Sequence, residues 1–377
     1  MVDSRKKKIL IIYATAGAGH KKAAFAIHKA LQTHASSCEL TLVDSLDYTN
    51  SFFKWAYPHF YLFMVEKIPA LWGFFYYMLD WKPLYPLVRP IRRINNYLNT
   101  SALVKLINSL RPDVVISTHF LATEVVSALK KGKRPDMRLI TVITDYRNHS
   151  FWVSCETDLF TVAHEATRQD LMSWGVESSK IKVTGIPVSS VFAETADRKD
   201  IAARLGIAKD LFTALVVSGG YGVGPIEELT ATLSGLNLKL QLLVVCGHNK
   251  ALYERMVSRW GSDGMVRIYG FVDNMHELMS ASDVIITKSG GLTTSEALAK
   301  GLPMVIIAPV PGQETRNCGV VVDSNTALMA GDVQQASEII KDITINKGRL
   351  ELLRRSAEEI SKPRAAEEIA RLALEEV

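Results

Sequence analysis

Short β-branched runs alternate with helical patterns along most of this chain. That alternation constrains the fold more than any other feature, because strands read as continuous apolar runs where helices cover both faces of a parallel sheet. Strand candidates are 8–13, 40–43, 113–117, 139–144 and 159–162, then 213–218, 240–246, 266–268, 283–287 and 304–307. Helical patterns over 21–32, 225–233, 250–260 and 292–300 fall between them. The break between the two sets comes at Thr184-Gly185-Ile186-Pro187, which reads as a linker. The 377 residues suit two domains. The expectation is an α/β chain of two Rossmann-like halves, 1–187 and 188–377, whose amphipathic closing segment 363–377 is a final helix able to cross back onto the first half.

Composition excludes several classes. With 48% hydrophobic and 22% charged residues, wholesale disorder is ruled out. No apolar run approaches the ~20 residues of a membrane span, and the basic start (Arg5 to Lys8) leads straight into a strand rather than a secretory apolar stretch. Cys38, Cys155, Cys246 and Cys318 lie far apart, with neither metal-ligand nor redox spacing, so reduced thiols in the cytosol are expected. The net charge of +5 is mild but uneven. Between Ser51 and Tyr97 stand six basic residues against two acidic ones, together with 15 of the chain's 31 aromatic residues. A local excess of this kind needs a partner.

Three strand-to-helix turns carry small residues. The first strand runs into Ala14-Thr15-Ala16-Gly17-Ala18-Gly19-His20. Gly17 and Gly19 let a ligand approach the backbone, and the following helix offers unpaired N–H groups to an anion. His20 is a titratable side chain at the C-terminal edge of the first strand, where open α/β sheets put their sites. The alternative is a helix-start histidine facing water. The second turn, Ser218-Gly219-Gly220-Tyr221-Gly222-Val223-Gly224-Pro225, suits a diphosphate cradled by amides, or a plain tight turn. The third places Lys288, Ser289, Gly290, Gly291, Leu292 and Thr293 ahead of Glu296. Glu296 could accept hydrogen bonds from a ribose diol, or serve as a favourable charge in the first helical turn. The polar run 311–317, with Gln313, Glu314 and Asn317, suits the hydroxyls of a sugar, with a solvated loop as the alternative.

This ordered set resembles the monogalactosyldiacylglycerol synthase and processive diacylglycerol glucosyltransferase family, relatives of MurG. The matching residues include the Gly17-x-Gly19-His20 turn with Ala23-Ala24, Thr144-Asp145-Tyr146 with His149 and Trp152, and Val183 to Pro187. They continue through the 218–225 turn, Gly270-Phe271-Val272-Asp273-Asn274-Met275, the 288–296 turn, and Pro311-Gly312-Gln313-Glu314 with Asn317. The resemblance implies a GT-B fold with its active site in the cleft between the halves, inverting transfer, and UDP-glucose or UDP-galactose as donor, with no metal or other cofactor. It implies that Phe271 and Val272 flank the uracil and that Glu296 holds the ribose. Gly219, Gly220, Ser289, Gly290 and Gly291 would then border the phosphates, and Gln313 and Glu314 grip the hexose. His20, with Asp145 as rival, would activate the acceptor hydroxyl. Thr315-Arg316 stands where the family more often has Glu-Gly, which leaves the sugar open.

The resemblance also gives the aromatic stretch a partner. Trp55, Trp72 and Phe75 among its aromatics, with Arg89, Arg92 and Arg93, fit a headgroup–acyl boundary of anionic lipid, and His149 and Trp152 count with the acceptor side. The alternative is a core-facing helical pair with a basic rim. Nucleic acid is not expected, since charge is low and no binding motif is present. The resulting expectation is a peripheral enzyme at the cytoplasmic face of the membrane, moving a hexose to diacylglycerol. A polyprenyl-linked or other lipid acceptor, or a non-catalytic nucleotide-sugar or lipid binder, are the alternatives.

Overall fold

The computed structural model describes residues 5–375 apart from 16, 35–37, 133, 196, 221 and 237, and the side chain of Tyr97. The expectations resting on Ala16, Tyr221 and the last residue, Val377, lie outside the described residues. The chain forms two compact units. The first is Met1–Ser190 with Pro311–Gln313 and Arg364–Val377, and the second is Val191–Val310 with Glu314–Pro363. The expected split at 187 thus falls three residues later, and the segment 364–377, placed in the second half as a final helix able to cross back, is grouped with the first unit.

The described residues of the first unit contain one all-parallel sheet: β1 (Lys8–Tyr13), β2 (Glu39–Asp44), β3 (Val114–Ser117), β4 (Arg138–Val142), β5 (Leu159–Val162) and β6 (Ile181–Val183). Their order is β2-β1-β3-β4-β5-β6. Alternation along β1 divides its side chains between two cores. Ile9 and Ile11 pack with Ala24, Ile27 and Leu31 of the helix Ala18–His34 and with Ile369, Ala370 and Leu372 of the final helix Ala365–Leu374. Leu10 and Ile12 pack on the opposite face with Leu103, Ile107, Val125 and Val126. The final helix is also fastened at its C-terminal end, where the carbonyls are unpaired and favour cations. Lys7 Nζ donates to Leu374 O (3.1 Å) and an Arg138 guanidinium nitrogen to Leu372 O (2.8 Å).

The second unit's described residues form β7 (Phe212–Val217), β8 (Leu240–Val245), β9 (Val266–Tyr269), β10 (Val284–Thr287), β11 (Met304–Ile307) and β12 (Ala327–Ala330). Their order is β12-β11-β10-β7-β8-β9, again all parallel. Each sheet has a switch point where the connections leave to opposite sides, between β1 and β3 in the first and between β7 and β10 in the second. Ligands of open α/β sheets bind outside the C-terminal strand ends at such points.

The aromatic and basic stretch folds as three helices, Ser51–Lys67, Pro69–Leu79 and Tyr85–Asn99. Asn50 caps the first, its side chain accepting from Phe53 N at 2.8 Å. In the third, Leu87, Ile91, Ile94 and Leu98 are 62–70% exposed. At 100° per residue these four share one face, so this helix turns its apolar stripe outward, the reverse of an ordinary surface helix. Arg92 and Asn96 lie on the opposite face, where both reach Glu124 Oε2, at 2.9 and 2.5 Å. Among the described residues, no helix is long and apolar enough to cross a membrane.

Candidate active site

In the first unit three strand ends converge on one imidazole. His20 sits in the first turn of the helix after β1, Thr118 follows β3 and Thr144 follows β4. His20 Nδ1 lies 2.8 Å from the Thr118 carbonyl oxygen and 2.9 Å from Thr144 Oγ1. Thr118 returns a contact, its hydroxyl donating to His20 O at 3.0 Å. A carbonyl only accepts, so Nδ1 carries the proton and Nε2 keeps a lone pair. Burial pushes the His20 pKa down from 6.5 to about 4, with the Thr118 carbonyl pulling weakly upward. The ring is therefore neutral near pH 7. His119 packs edge-on against it with centroids 4.7 Å apart, and Trp152 stands at 6.2 Å. Burial, then the charge His20 would carry, holds His119 well below the usual histidine range. Tyr57, 6.2 Å from His119, is pushed above the usual phenol range by burial.

Asp145, the rival base, is half-buried directly after Thr144. Gly17 faces open space, since a Cβ there would meet nothing within 4 Å, and Gly19 lies in the first helical turn beside His20. Trp152 is buried as a wall of the His20 site rather than presented outward. His149 is buried too, with Nε2–H donating to Tyr76 O (3.1 Å) and Nδ1 accepting from Phe151 N (3.2 Å). It joins the 150–152 turn to the helix Pro69–Leu79, where Ser150 N also donates to Asp80 (2.6 Å). Both residues counted with the acceptor side are thus buried in the first unit, Trp152 beside His20.

The expected lipid-facing residues divide in the same way. Trp55 is 61% exposed and Phe75 38%. Trp72 instead packs edge-on against Tyr61 with its indole nitrogen buried. Arg92, its side chain 13% exposed, is spent on Glu124 and on the face of Phe151, 4.3 Å away. Arg89 lies over the Tyr85 ring (5.8 Å), and Arg93 is half-buried. The arginine triplet is thus not a free cationic face.

In the second unit the turn after β7 and the turn after β10 border the switch point. Gly219 has φ +64°, and neither it nor Gly220 has an atom within 4 Å of a would-be Cβ. The loop after β8 supports this turn, with His248 N donating to Gly220 O (2.9 Å). A Cβ on Gly247 would lie 2.4 Å from that oxygen, so only glycine allows the approach. The His248 ring stacks on Phe271 at 4.2 Å and 14°, covering one face of a side chain that is 53% exposed. Val272 beside it is half-buried.

Gly290 precedes the helix Gly291–Ala299, on which Leu292 and Glu296 are buried and Thr293 half-buried. Ser289 and Asn317 are fully buried and hold this turn to the helix Gln313–Asp323. Ser289 Oγ donates to Glu314 O (2.6 Å), and Asn317 Nδ2 donates to Ser289 O (3.1 Å). Glu314 accepts from Val310 N at 2.8 Å. Burial raises its pKa, against the pull of Val310 and of Lys288. Gln313, grouped with the first unit, donates to Tyr61 Oη at 3.5 Å. Among the described residues no group of three or more His, Cys, Asp or Glu side chains could hold a metal ion.

Sequence and structure comparisons agree with this architecture. Residues 20–188 match the family model for monogalactosyldiacylglycerol (MGDG) synthase, and residues 214–371 match the glycosyltransferase family 28 C-terminal domain. A processive diacylglycerol beta-glucosyltransferase of Staphylococcus epidermidis is 29% identical over 357 residues, covering 93% of this chain and 88% of that protein. The fold matches Acinetobacter baumannii MurG with TM-score 0.65 and 16% identity over 98% and 99% of the two chains. It matches MnaA of S. aureus, solved with UDP, with TM-score 0.62 and 16% identity over 96% and 94%. Two parallel six-stranded Rossmann-like sheets flanked by helices make this a GT-B fold, and the chain carries a monogalactosyldiacylglycerol synthase domain followed by a glycosyltransferase family 28 C-terminal domain.

Proposed function

We propose that this glycosyltransferase moves a hexose from a UDP-sugar to the hydroxyl of diacylglycerol, inverting the anomeric centre, while docked at the cytoplasmic face of a membrane. The observation that carries the reading is the His20 site. A neutral imidazole whose Nδ1 proton is committed to Thr118 O has Nε2 ready to accept the acceptor's hydroxyl proton. The named diacylglycerol glucosyltransferase relative favours diacylglycerol over a polyprenyl-linked acceptor, and glucose over galactose as the first sugar to try. The second unit offers glycine turns and a helix N-terminus to the leaving diphosphate, with Glu296 for the ribose and Phe271 for the base. No metal is assigned to the step. The outward apolar stripe of Tyr85–Asn99, with the exposed Trp55, Phe60 and Phe74, supports docking on lipid.

The test offers radiolabelled UDP-glucose and UDP-galactose separately to the purified protein with diacylglycerol vesicles, and resolves the lipids. Label in a monoglycosyl lipid from one donor is expected. Donor binding without transfer to any lipid would leave only a nucleotide-sugar binder and overturn the assignment.

A further inference from the structure

Lys288 follows β10 directly, at the switch point of the second sheet. Its stem lies against the turn after β7. Gly224 there has φ +139°, and a Cβ on it would come within 2.9 Å of Ser218 Oγ and 3.5 Å of Lys288 Cε. Behind Lys288 the turn 289–291 begins the helix Gly291–Ala299. Lys288 therefore stands between two glycine turns, both at C-terminal strand ends. It is half-buried, and among the described residues it makes neither a hydrogen bond nor an ion pair within 4 Å. A lysine withdrawn from water ordinarily has a partner. The nearby carboxylate, Glu314, is spent on Val310 N, and burial disfavours its charge. The cation thus stands at the switch point with no ion-pair partner within 4 Å among the described residues.

We propose that Lys288 is a catalytic residue of the transfer, its ammonium binding the β-phosphate of the donor and of the departing UDP. The inference rests on the UDP-sugar reading of the second unit. In the step, the acceptor oxygen forms a bond to the anomeric carbon while the bond from that carbon to the β-phosphate oxygen breaks. The electron pair of the broken bond stays on the β-phosphate, which gains one negative charge. The hydroxyl proton passes to His20 Nε2. Lys288 meets the new charge without reorganisation, so its interaction is stronger in the transition state than with bound donor.

Calorimetry with UDP and UMP, beside steady-state turnover, tests this on wild type, Lys288→Gln, Lys288→Met and Lys288→Arg. A lost charge-assisted hydrogen bond should weaken UDP by about tenfold or more in both neutral variants. UMP, which lacks the β-phosphate, should bind as in wild type. Turnover should fall further than UDP affinity, and Lys288→Arg should recover most of both. If wild type binds UDP and the neutral variants bind it equally well with normal turnover, Lys288 is only a neighbour of Glu314 and the proposal is overturned. Equal losses for UMP and UDP overturn it as well. Failure of wild type itself to bind UDP strikes the UDP-sugar reading instead.

Discussion

His20 Nδ1 lies 2.8 Å from the carbonyl oxygen of Thr118, a residue 98 positions away along the chain. This one contact fixes the tautomer, and with it the atom that can do chemistry. With Nδ1 protonated, Nε2 is the only ring nitrogen able to take a proton, and a pKa near 4 keeps it unprotonated across the neutral range.

His20→Ala should therefore lower turnover by about 10²–10⁴, the usual worth of a positioned base, with donor affinity near wild type. Asp145→Asn tests the rival. A dead Asp145→Asn enzyme beside a near-normal His20→Ala enzyme, in the same radiolabel assay, reverses the two roles.

The same burial makes His20 an acid-sensitive point in the fold. Between pH 4 and 6.5 the unfolded chain binds a proton at this ring and the folded chain does not. Stability from this site therefore rises with pH through that window, is fully present above 6.5, and is lost as pH falls toward 4. The full difference is worth about 3 kcal/mol. His119 contributes with the same sign in any variant that keeps it. Thermal unfolding of wild type and His20→Gln at pH 4.5 and pH 7 measures the effect, and the variant should lose less Tm on acidification. Identical losses would show that His20 titrates normally.

Much of the fold was legible because parallel strands buried on both faces leave apolar runs that need no context. The missed strands β6 and β12 are short, partly exposed edge elements, three residues of IKV and four of ALMA, the latter without a β-branched residue. At the site, the glycine turns and His20 stood out locally. Thr118 did not, and Thr144 entered only through the resemblance, since only the strand order β1-β3-β4 brings them to the ring from 98 and 124 residues away. Arg92 departs from the lipid-facing expectation for a different reason. A charged residue type does not by itself mean exposure, and the helical phase of Leu87, Ile91, Ile94 and Leu98 puts Arg92 on the far face, toward Glu124.

Glu296 is buried on its helix, so Glu296→Gln keeps the volume and removes only the charge. UDP should bind more weakly by about 1.5–3 kcal/mol as the ribose loses a charged acceptor. Gln313→Ala should spare UDP and weaken the complete UDP-sugar. Calorimetry on both ligands decides, and equal losses for UDP and UDP-sugar in Gln313→Ala remove that residue from the hexose.

The final helix gives the first unit part of its core through Ile369, which is fully buried against the β1 face. Ile369→Ala should cost about 2–5 kcal/mol of that unit's stability. UDP binding, a property assigned to the second unit, should stay unchanged. Urea unfolding followed beside UDP calorimetry checks both halves of the statement, and a matching loss of UDP affinity would contradict it.

Docking on lipid rests on the apolar stripe rather than on the arginines. Reversing Arg89, Arg92 and Arg93 together would break the Arg92–Glu124 pair, whose side chains are 13% and 10% exposed. Leaving that carboxylate unpaired is costly whatever the protein binds. Such a variant tests folding rather than docking. Leu87, Ile91, Ile94 and Leu98 are exposed on one face, so serine at Ile91 and Ile94 removes apolar surface at little cost to the core. Burying a Leu or Ile side chain in the interface is worth about 1.5–3 kcal/mol, so the double change should lower vesicle affinity by tenfold or more. That loss should appear on neutral and anionic vesicles alike and change little between low and high salt. Residual electrostatic attraction from cations such as Lys67 would instead weaken with salt, screened over about 10 Å at 0.1 M. Co-sedimentation at two salt concentrations separates the contributions, with thermal unfolding confirming that the double variant is folded. Wild-type sedimentation by a folded Ile91→Ser, Ile94→Ser protein would mean that the stripe faces something other than lipid.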